Sequence, residues 1–97
     1  MSGRPIVKST PLFPLGQCVI TANANSVLHS EDVKRALDRH ASGDWGDVCE
    51  SDWKENEVGL TCGLRLFSVY RDRWGQKFYI ITEHDRSATT TLLAEDY

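Results

Sequence analysis

The chain has 97 residues, of which 40% are hydrophobic and 26% are charged, and its formal net charge is −3. This length and composition predict one globular domain over residues 1–97, and its modest core leaves little room for a deep cofactor pocket. No apolar run approaches the roughly 18–20 residues of a membrane-spanning helix, and three early prolines argue against a signal peptide. We therefore expect a cytoplasmic protein with no membrane partner.

The N-terminal quarter contains one predicted strand. Residues 1–14 include three prolines, each of which removes a backbone donor, so this segment is predicted to be a loose arm. The β-branched run that follows predicts a short strand over residues 17–21. The next segment, ANANSVL at residues 22–28, fits either a short helix or a turn.

Two helices are predicted in the middle of the chain. The first covers about residues 31–41, with Ser30 as its N-cap and acidic residues in its first turn. Its apolar stripe consists of Val33, Ala36, Leu37 and His40. The second covers about residues 51–62, with Ser51 as a candidate cap and Gly63 in the left-handed conformation that commonly ends a helix.

The last third of the chain, residues 64–93, has the pattern of a β-meander. Three runs rich in Val, Ile, Tyr, Phe and Thr are separated by the polar turns DRWG and EHDRS. The predicted fold is therefore α+β, with an antiparallel sheet of three to four strands packed against two to three helices. Because both sheet faces carry apolar residues, we expect the helices on one face. The other face is either covered by the N-terminal arm or open to a partner.

The cysteines predict neither disulfides nor a zinc site. Cys18, Cys49 and Cys62 are odd in number and widely spaced, whereas zinc sites usually show close pairs such as C-x-x-C. We expect three reduced thiols, two of them buried as small hydrophobic side chains.

No residue pattern in the sequence predicts catalysis. His84 is the strongest acid–base candidate, but its neighbours in EHDRS are typical of a solvated turn. His40 is expected to be partly buried at the end of a helix. The glycine motifs that bind phosphate and the calcium-loop pattern do not occur. We therefore expect no enzyme, no catalytic residue, no cofactor and no metal site.

The excess negative charge is concentrated in residues 44–57, which contain six carboxylates and one lysine, a net charge of −5. This run is either a solvated helix face or a partner-binding surface. In the second interpretation a tryptophan anchors a basic partner that the carboxylates attract, and the carboxylates can imitate nucleic-acid phosphates. The predicted partner-binding residues are Asp44, Trp45, Asp47, Glu50, Asp52, Trp53 and Glu55.

Basic and aromatic residues alternate in the predicted sheet and suggest an alternative. Phosphate contacts and base stacking use such a stripe. Its members are Arg65, Tyr70, Arg71, Arg73, Trp74, Lys77 and Tyr79. The acidic total charge argues against direct nucleic-acid binding, so a small nucleic-acid-binding protein is the second interpretation.

Five motifs spread from Pro14 to Tyr97 form a larger pattern. They are PLGQ-x-V-x-T, RH-x-x-GDWG, D-x-x-x-NE, RL-x-S-x-Y and ITE-x-DRS-x-TT-x-LL-x-x-DY. The pattern resembles a family of small proteins from plasmids, prophages and integrated elements that are described only as plasmid-related or hypothetical. The chain departs from it at ANANSVL, where the family has a proline-started helix.

This resemblance implies a context rather than a mechanism, because the family has no known activity. Small acidic proteins of mobile elements often inhibit host defence. The implied partner is a host complex that handles nucleic acid, such as a restriction enzyme or a CRISPR surveillance complex. This implication is an analogy and does not follow from the fold.

Overall fold

The computed structural model describes residues 11–97, and within them the helices and strands follow one another in the predicted order. The elements are β1 (Gln17–Ile20), α1 (Ala22–Val27), α2 (Ser30–Ala41), α3 (Glu50–Cys62), β2 (Leu66–Arg71), β3 (Lys77–Thr82), β4 (Ala88–Leu93) and a final 3-10 turn (Ala94–Asp96). The predicted α+β class is confirmed. The ANANSVL segment is helical and contains α1.

The strands form one sheet in the order β1-β4-β3-β2. The meander β2-β3-β4 is antiparallel throughout, as predicted. β1 pairs with β4 in parallel, with Gln17 opposite Ala88, so the complete sheet is mixed rather than antiparallel. A parallel pair needs a long connection between its strands, and here that connection contains all three helices and the first two meander strands.

One face of the sheet packs against α1 and α2. Alternation along the strands places Tyr70, Phe78, Ile80 and Leu93 on this face, where they meet apolar side chains of both helices. From the helices, the main contributors are Ala24, Leu28, Val33 and Ala36. The apolar stripe predicted for α2 therefore faces the sheet.

A second apolar cluster lies beside α3 and is built around Phe13, Trp45 and Leu66. The Leu12 amide also donates a hydrogen bond to the Ala41 carbonyl, at 2.8 Å. The prediction of a loose arm is therefore wrong for residues 12 and 13, because burial of the Phe13 ring fixes this part of the chain. Residues 1–10 of the predicted arm lie outside the described residues.

The helix caps differ from the predicted ones. His29 is the N-cap of α2, and its Nδ1 accepts a hydrogen bond from the Glu31 amide at 3.2 Å. Cys49 is the N-cap of α3, although its side chain accepts no capping hydrogen bond. Gly63 ends α3 in the left-handed conformation, with φ of 71°, as predicted.

All three cysteines are free and exposed, so the expectation that two are buried is wrong. Cys18 lies on β1, all four residues of which are exposed, and Cys49 and Cys62 lie at the two ends of α3. Within residues 11–97, no helix is both long enough and apolar enough to cross a bilayer.

Candidate partner-binding face

The acidic segment begins as a loop along the outer edge of β2. Gly46 has φ of 75° and forms a parallel bridge to Val69. On either side of it, the Val69 amide donates to the Trp45 carbonyl at 3.1 Å, and the Asp47 amide donates to the Val69 carbonyl at 2.8 Å. These bonds fix the loop, and with it the start of α3.

Trp45 is fully buried, with 0% of its surface exposed. Its ring packs against Phe13 and His40, and its indole N–H donates to a Glu57 carboxylate oxygen at 2.8 Å. The prediction of Trp45 as a surface anchor is therefore wrong. Trp53, on α3, is 36% exposed and remains accessible.

The six carboxylates of the segment fall into two groups. Asp44 pairs with Arg39 at 2.8 Å, and this guanidinium holds the pKa of Asp44 below its usual range. Glu50 makes an exposed pair with Lys54 at 3.7 Å, and Glu57 accepts the Trp45 indole N–H. Within residues 11–97, the remaining three form no ion pair. They are Asp47, Asp52 and Glu55.

Asn56 fixes the rotation of α3 about its axis. Its side-chain amide donates to the Phe67 carbonyl at 2.7 Å and accepts from the Phe67 amide at 3.0 Å. Asp52 lies four positions before Asn56 and therefore shares its side of the helix, and Glu55, three positions after Asp52, is a surface neighbour of Asp52. The pairing of one buried amide with β2 therefore turns both carboxylates toward the sheet.

A groove lies between these carboxylates and the sheet face that α1 and α2 leave uncovered. Its volume is about 410 Å³. Three of its lining residues are aromatic, and the ring centroids of Phe67 and Tyr79 are 4.9 Å apart. Tyr97 meets Tyr79 edge-on at 5.8 Å. The complete lining is Asp52, Glu55, Asn56, Leu64, Arg65, Phe67, Tyr79 and Tyr97.

Cations of the chain itself already lie over two of these rings. The Arg65 guanidinium is 5.9 Å from the centre of the Tyr97 ring, and it donates a hydrogen bond to the Tyr97 hydroxyl at 2.8 Å. The Lys77 ammonium is 5.9 Å from the centre of the Tyr79 ring. Both distances are within the range of cation–π attraction.

The residues predicted for nucleic-acid binding do not form one surface. Tyr70 is 2% exposed, burial raises the pKa of its hydroxyl, and it donates a hydrogen bond to the Asp44 carbonyl. Arg73 is exposed but pairs with Asp32 at 3.0 Å and with Glu31 at 3.1 Å. Hydrogen bonds from Arg73 lower the pKa of Asp32 to about 2. Tyr70 therefore belongs to the core. The charge of Arg73 is neutralised by two carboxylates of α2.

The other members of that set are accessible but divided between two places. Arg65 and Tyr79 line the groove. Arg71 and Lys77 are exposed and lie opposite each other in the register of the β2–β3 hairpin. Trp74 lies in the hairpin turn, 67% exposed, with its ring 5.3 Å from that of His29.

His40 is fully buried, more than the sequence predicts, in a polar cluster behind the groove. Its Nδ1 lies 2.5 Å from the Ser68 hydroxyl, and its Nε2 lies 2.9 Å from the Thr82 hydroxyl. Thr82 in turn contacts Thr89 at 2.7 Å, and Thr89 donates to the Leu15 carbonyl at 2.7 Å. Burial lowers the pKa of His40 to about 3. This histidine organises the core, whereas His84 is exposed on its turn.

The sequence interpretation missed four residues that line the groove: Asn56, Leu64, Phe67 and Tyr97. Strand alternation offered a signal for Phe67, since it lies on the same face as Tyr79. Nothing local in the sequence indicates that Asn56 pairs with a strand backbone or that Tyr97 folds over the sheet.

Comparisons with protein-family models, curated proteins and solved structures give no match to the chain. The resemblance to plasmid and prophage proteins therefore stays a prediction. In the part of the chain from residue 11 onward, no group of three or more His, Cys, Asp or Glu side chains is placed to hold a metal ion.

Proposed function

We propose that the protein is a non-enzymatic interaction protein that binds a basic partner through one acidic face, defined by Asp47, Glu50, Asp52 and Glu55. The observation that carries this proposal is that three of these carboxylates have no ion-pair partner within residues 11–97. They lie on a loop and a helix that backbone and Asn56 hydrogen bonds fix against β2.

An acidic face of this kind favours association more than folding. Like charges close together repel each other, and within residues 11–97 only Lys54 forms an ion pair with one of these four carboxylates. A partner that supplies arginine or lysine side chains removes this repulsion, and the field of the face accelerates encounter with that partner. Trp53, at the side of the same helix, provides apolar contact area.

The class of partner follows from charge and from the resemblance of the sequence. Surfaces that bind nucleic acid are rich in lysine and arginine, so a carboxylate face is complementary to them. The mobile-element resemblance supports a host complex that handles nucleic acid, of the restriction or CRISPR type, as the partner. Such an inhibitor acts in the cytoplasm, occupies the nucleic-acid site and carries out no reaction.

Affinity capture from host-cell extract tests the proposal. The test variant carries Asp47→Lys and Glu50→Lys, and the matched control carries Asp38→Lys and Glu95→Lys, both exposed and outside the acidic face. Both variants change the net charge equally. We expect the wild type and the control to retain a nucleic-acid-handling protein that the test variant loses. Equal recovery by all three proteins would overturn the proposal.

A gel-shift titration at low salt addresses the alternative interpretation. The proposal predicts no shift of single- or double-stranded DNA or RNA, because the acidic face repels phosphates. A shift that Arg71→Ala and Lys77→Ala abolish would replace the acidic-face proposal with direct nucleic-acid binding through the hairpin.

A further inference from the structure

We propose that the groove beside α3 receives an arginine side chain of the partner. The guanidinium would stack on the exposed Tyr97 ring, lie beside the perpendicular Tyr79 ring and donate to the carboxylates of Asp52 and Glu55. This inference rests on the proposed function and deepens it, because it specifies which basic group the partner presents and where that group binds.

The shape of the groove supports a side chain as its occupant. A volume of about 410 Å³ lies within the range of about 300–1,000 Å³ that is usual for ligand sites. Its floor contains the half-buried rings of Phe67 and Tyr79, and Tyr97, 65% exposed, forms one wall. An aromatic ring left this exposed beside a cavity offers apolar contact area that the fold itself does not use.

The charges of the lining support a cation. Two carboxylates and the Arg65 guanidinium give the lining a net charge of −1, and Asp52 and Glu55 form no ion pair within the described part of the chain. The faces of tyrosine rings attract cations as well. In the free protein, Arg65 and Lys77 lie over Tyr97 and Tyr79, so these two rings already attract positive groups of the chain itself.

Arginine fits this combination better than lysine does. Its guanidinium is planar, so it can stack on a ring while its edge donates two parallel hydrogen bonds to a carboxylate. An ammonium group is a strongly hydrated point charge that loses more on entering a groove with aromatic walls. A nucleotide could stack on the same rings, but its phosphate would face Asp52 and Glu55 at close range.

An NMR titration with blocked pentapeptides tests the inference on the full chain. The probes are acetyl-Gly-Gly-Xaa-Gly-Gly-amide peptides in which Xaa is arginine, lysine or citrulline. Citrulline keeps the shape of arginine and removes its charge. We expect the arginine peptide to shift the backbone resonances of Asp52, Glu55 and Tyr79. We expect the lysine peptide to bind about three- to fivefold more weakly, and the citrulline peptide to cause no shift. Equal shifts with all three peptides would overturn the inference.

Two variants identify the groove as the binding site. Tyr97→Ala removes an exposed ring and should weaken arginine binding about three- to fivefold, whereas Trp74→Ala removes an exposed ring elsewhere and should leave it unchanged. Asp52→Asn combined with Glu55→Gln should reduce arginine binding at least as much, and Asp38→Asn should not. An unchanged affinity in the Tyr97 and the Asp52/Glu55 variants would assign the arginine to another surface.

The capture experiment and this titration can fail separately. If the acidic face binds a basic partner without using the groove, Asp47→Lys with Glu50→Lys abolishes capture while Tyr97→Ala has no effect on capture or titration. That result keeps the proposed function and overturns the arginine site. If the arginine peptide binds the groove but capture is insensitive to the acidic face, the arginine site stands and the proposed function fails.

Discussion

At the scale of single residues, His40 connects α2 to two strands through bonds whose directions can be assigned. Thr89 uses its proton for the Leu15 carbonyl, so Thr82 must donate to Thr89 and accept from His40 Nε2–H. His40 Nδ1 is then the acceptor of the Ser68 hydroxyl proton. A second proton on the ring would place a charge in a buried site and force the Ser68 hydroxyl to turn its own proton away, so the cluster favours a neutral histidine.

The neutral form of His40 in the folded protein predicts a loss of stability in mild acid. In the unfolded chain His40 takes up a proton below its ordinary pKa of 6.5, whereas burial and the nearby Arg86 guanidinium keep the folded pKa near 3. The unfolded state therefore binds more protons between these two values. Full stability is present above pH 6.5 and declines as the pH falls, by about 2–3 kcal/mol between pH 7 and pH 4.5.

Urea unfolding at several pH values measures this decline, and His40→Gln should flatten it. His84→Gln, which changes an exposed histidine, should leave it unchanged. Asp32 titrates separately, because Arg73 lowers its pKa from 3.8 to about 2, and its stabilising contribution is lost only below pH 4. A decline of the same slope in His40→Gln would contradict the assignment to His40.

At the scale of elements, the outer edge of β2 is covered by a side chain and a loop rather than by another strand. Asn56 pairs with both backbone groups of Phe67, and the loop around Gly46 pairs with both backbone groups of Val69. An exposed edge can recruit strands from other chains. Here the edge is instead used to hold the acidic segment in place.

Replacing Asn56 with alanine tests the first of these contacts. The substitution leaves the amide and carbonyl of Phe67 unpaired beside α3, and each unpaired buried group costs about 1–3 kcal/mol. We expect a loss of about 2–4 kcal/mol in the free energy of unfolding, together with faster hydrogen exchange at the Phe67 amide. Asn25→Ala, on the exposed side of α1, is the control and should change stability little.

Gly46 and Gly75 form a matched pair that tests the second contact. Both have positive φ, 75° and 83°, so alanine is strained at either position. A Cβ on Gly46 would lie 2.0 Å from the Val69 carbonyl oxygen, whereas nothing lies within 4 Å of one on Gly75. We expect Gly75→Ala to cost about 1 kcal/mol and Gly46→Ala about 3–5 kcal/mol. Similar unfolding midpoints for the two variants would show that the loop does not hold its position against β2.

At the scale of the whole molecule, the net charge of −3 understates the negative charge of the acidic face. The arginines pair mainly outside the acidic face, at Asp44 through Arg39 and at Glu31 and Asp32 through Arg73. Asp47, Asp52 and Glu55, which form no ion pair within residues 11–97, lie in the loop before α3 and in its first two turns. One side of the molecule is more acidic than the total charge indicates.

This asymmetry predicts a strong dependence of partner association on salt. The Debye length shortens from about 10 Å at 0.1 M salt to about 3 Å at 1 M. The association rate with a hexa-arginine peptide should therefore fall at least tenfold between 0.05 M and 0.5 M NaCl in stopped-flow measurements. The Asp47→Lys, Glu50→Lys variant should show a shallower dependence, and equal slopes would exclude steering by the acidic face.

The fold was largely predictable because its signals are local. The apolar stripe of α2, the turn chemistry of the meander and the glycine that ends α3 each depend on residues close together in sequence. The errors concern distant contacts. The acidic neighbours of Trp45 predict an exposed side chain, but Phe13 and His40 pack against its ring. The basic neighbours of Tyr70 predict a surface position, but strand alternation turns its side chain toward the helices.

The same distinction explains how much of the candidate site could be predicted. The carboxylates were recognisable from composition, but the groove was not, because it depends on Asn56 setting the rotation of α3 and on Tyr97 returning to the sheet. The Asn56–Phe67 contact joins residues 11 positions apart, and the Phe67–Tyr97 contact joins residues 30 positions apart. Only the folded backbone brings them together.

The parallel pairing of β1 with β4 has a consequence for synthesis in the cell. Gln17 pairs with Ala88, which the ribosome adds 71 residues later. β1 therefore leaves the ribosome long before its partner strand exists, while the helices can form as soon as they emerge. Such distant pairing also slows folding, because a long loop must close before the contact forms. We therefore expect β1 to join the sheet only after β4 has left the ribosome.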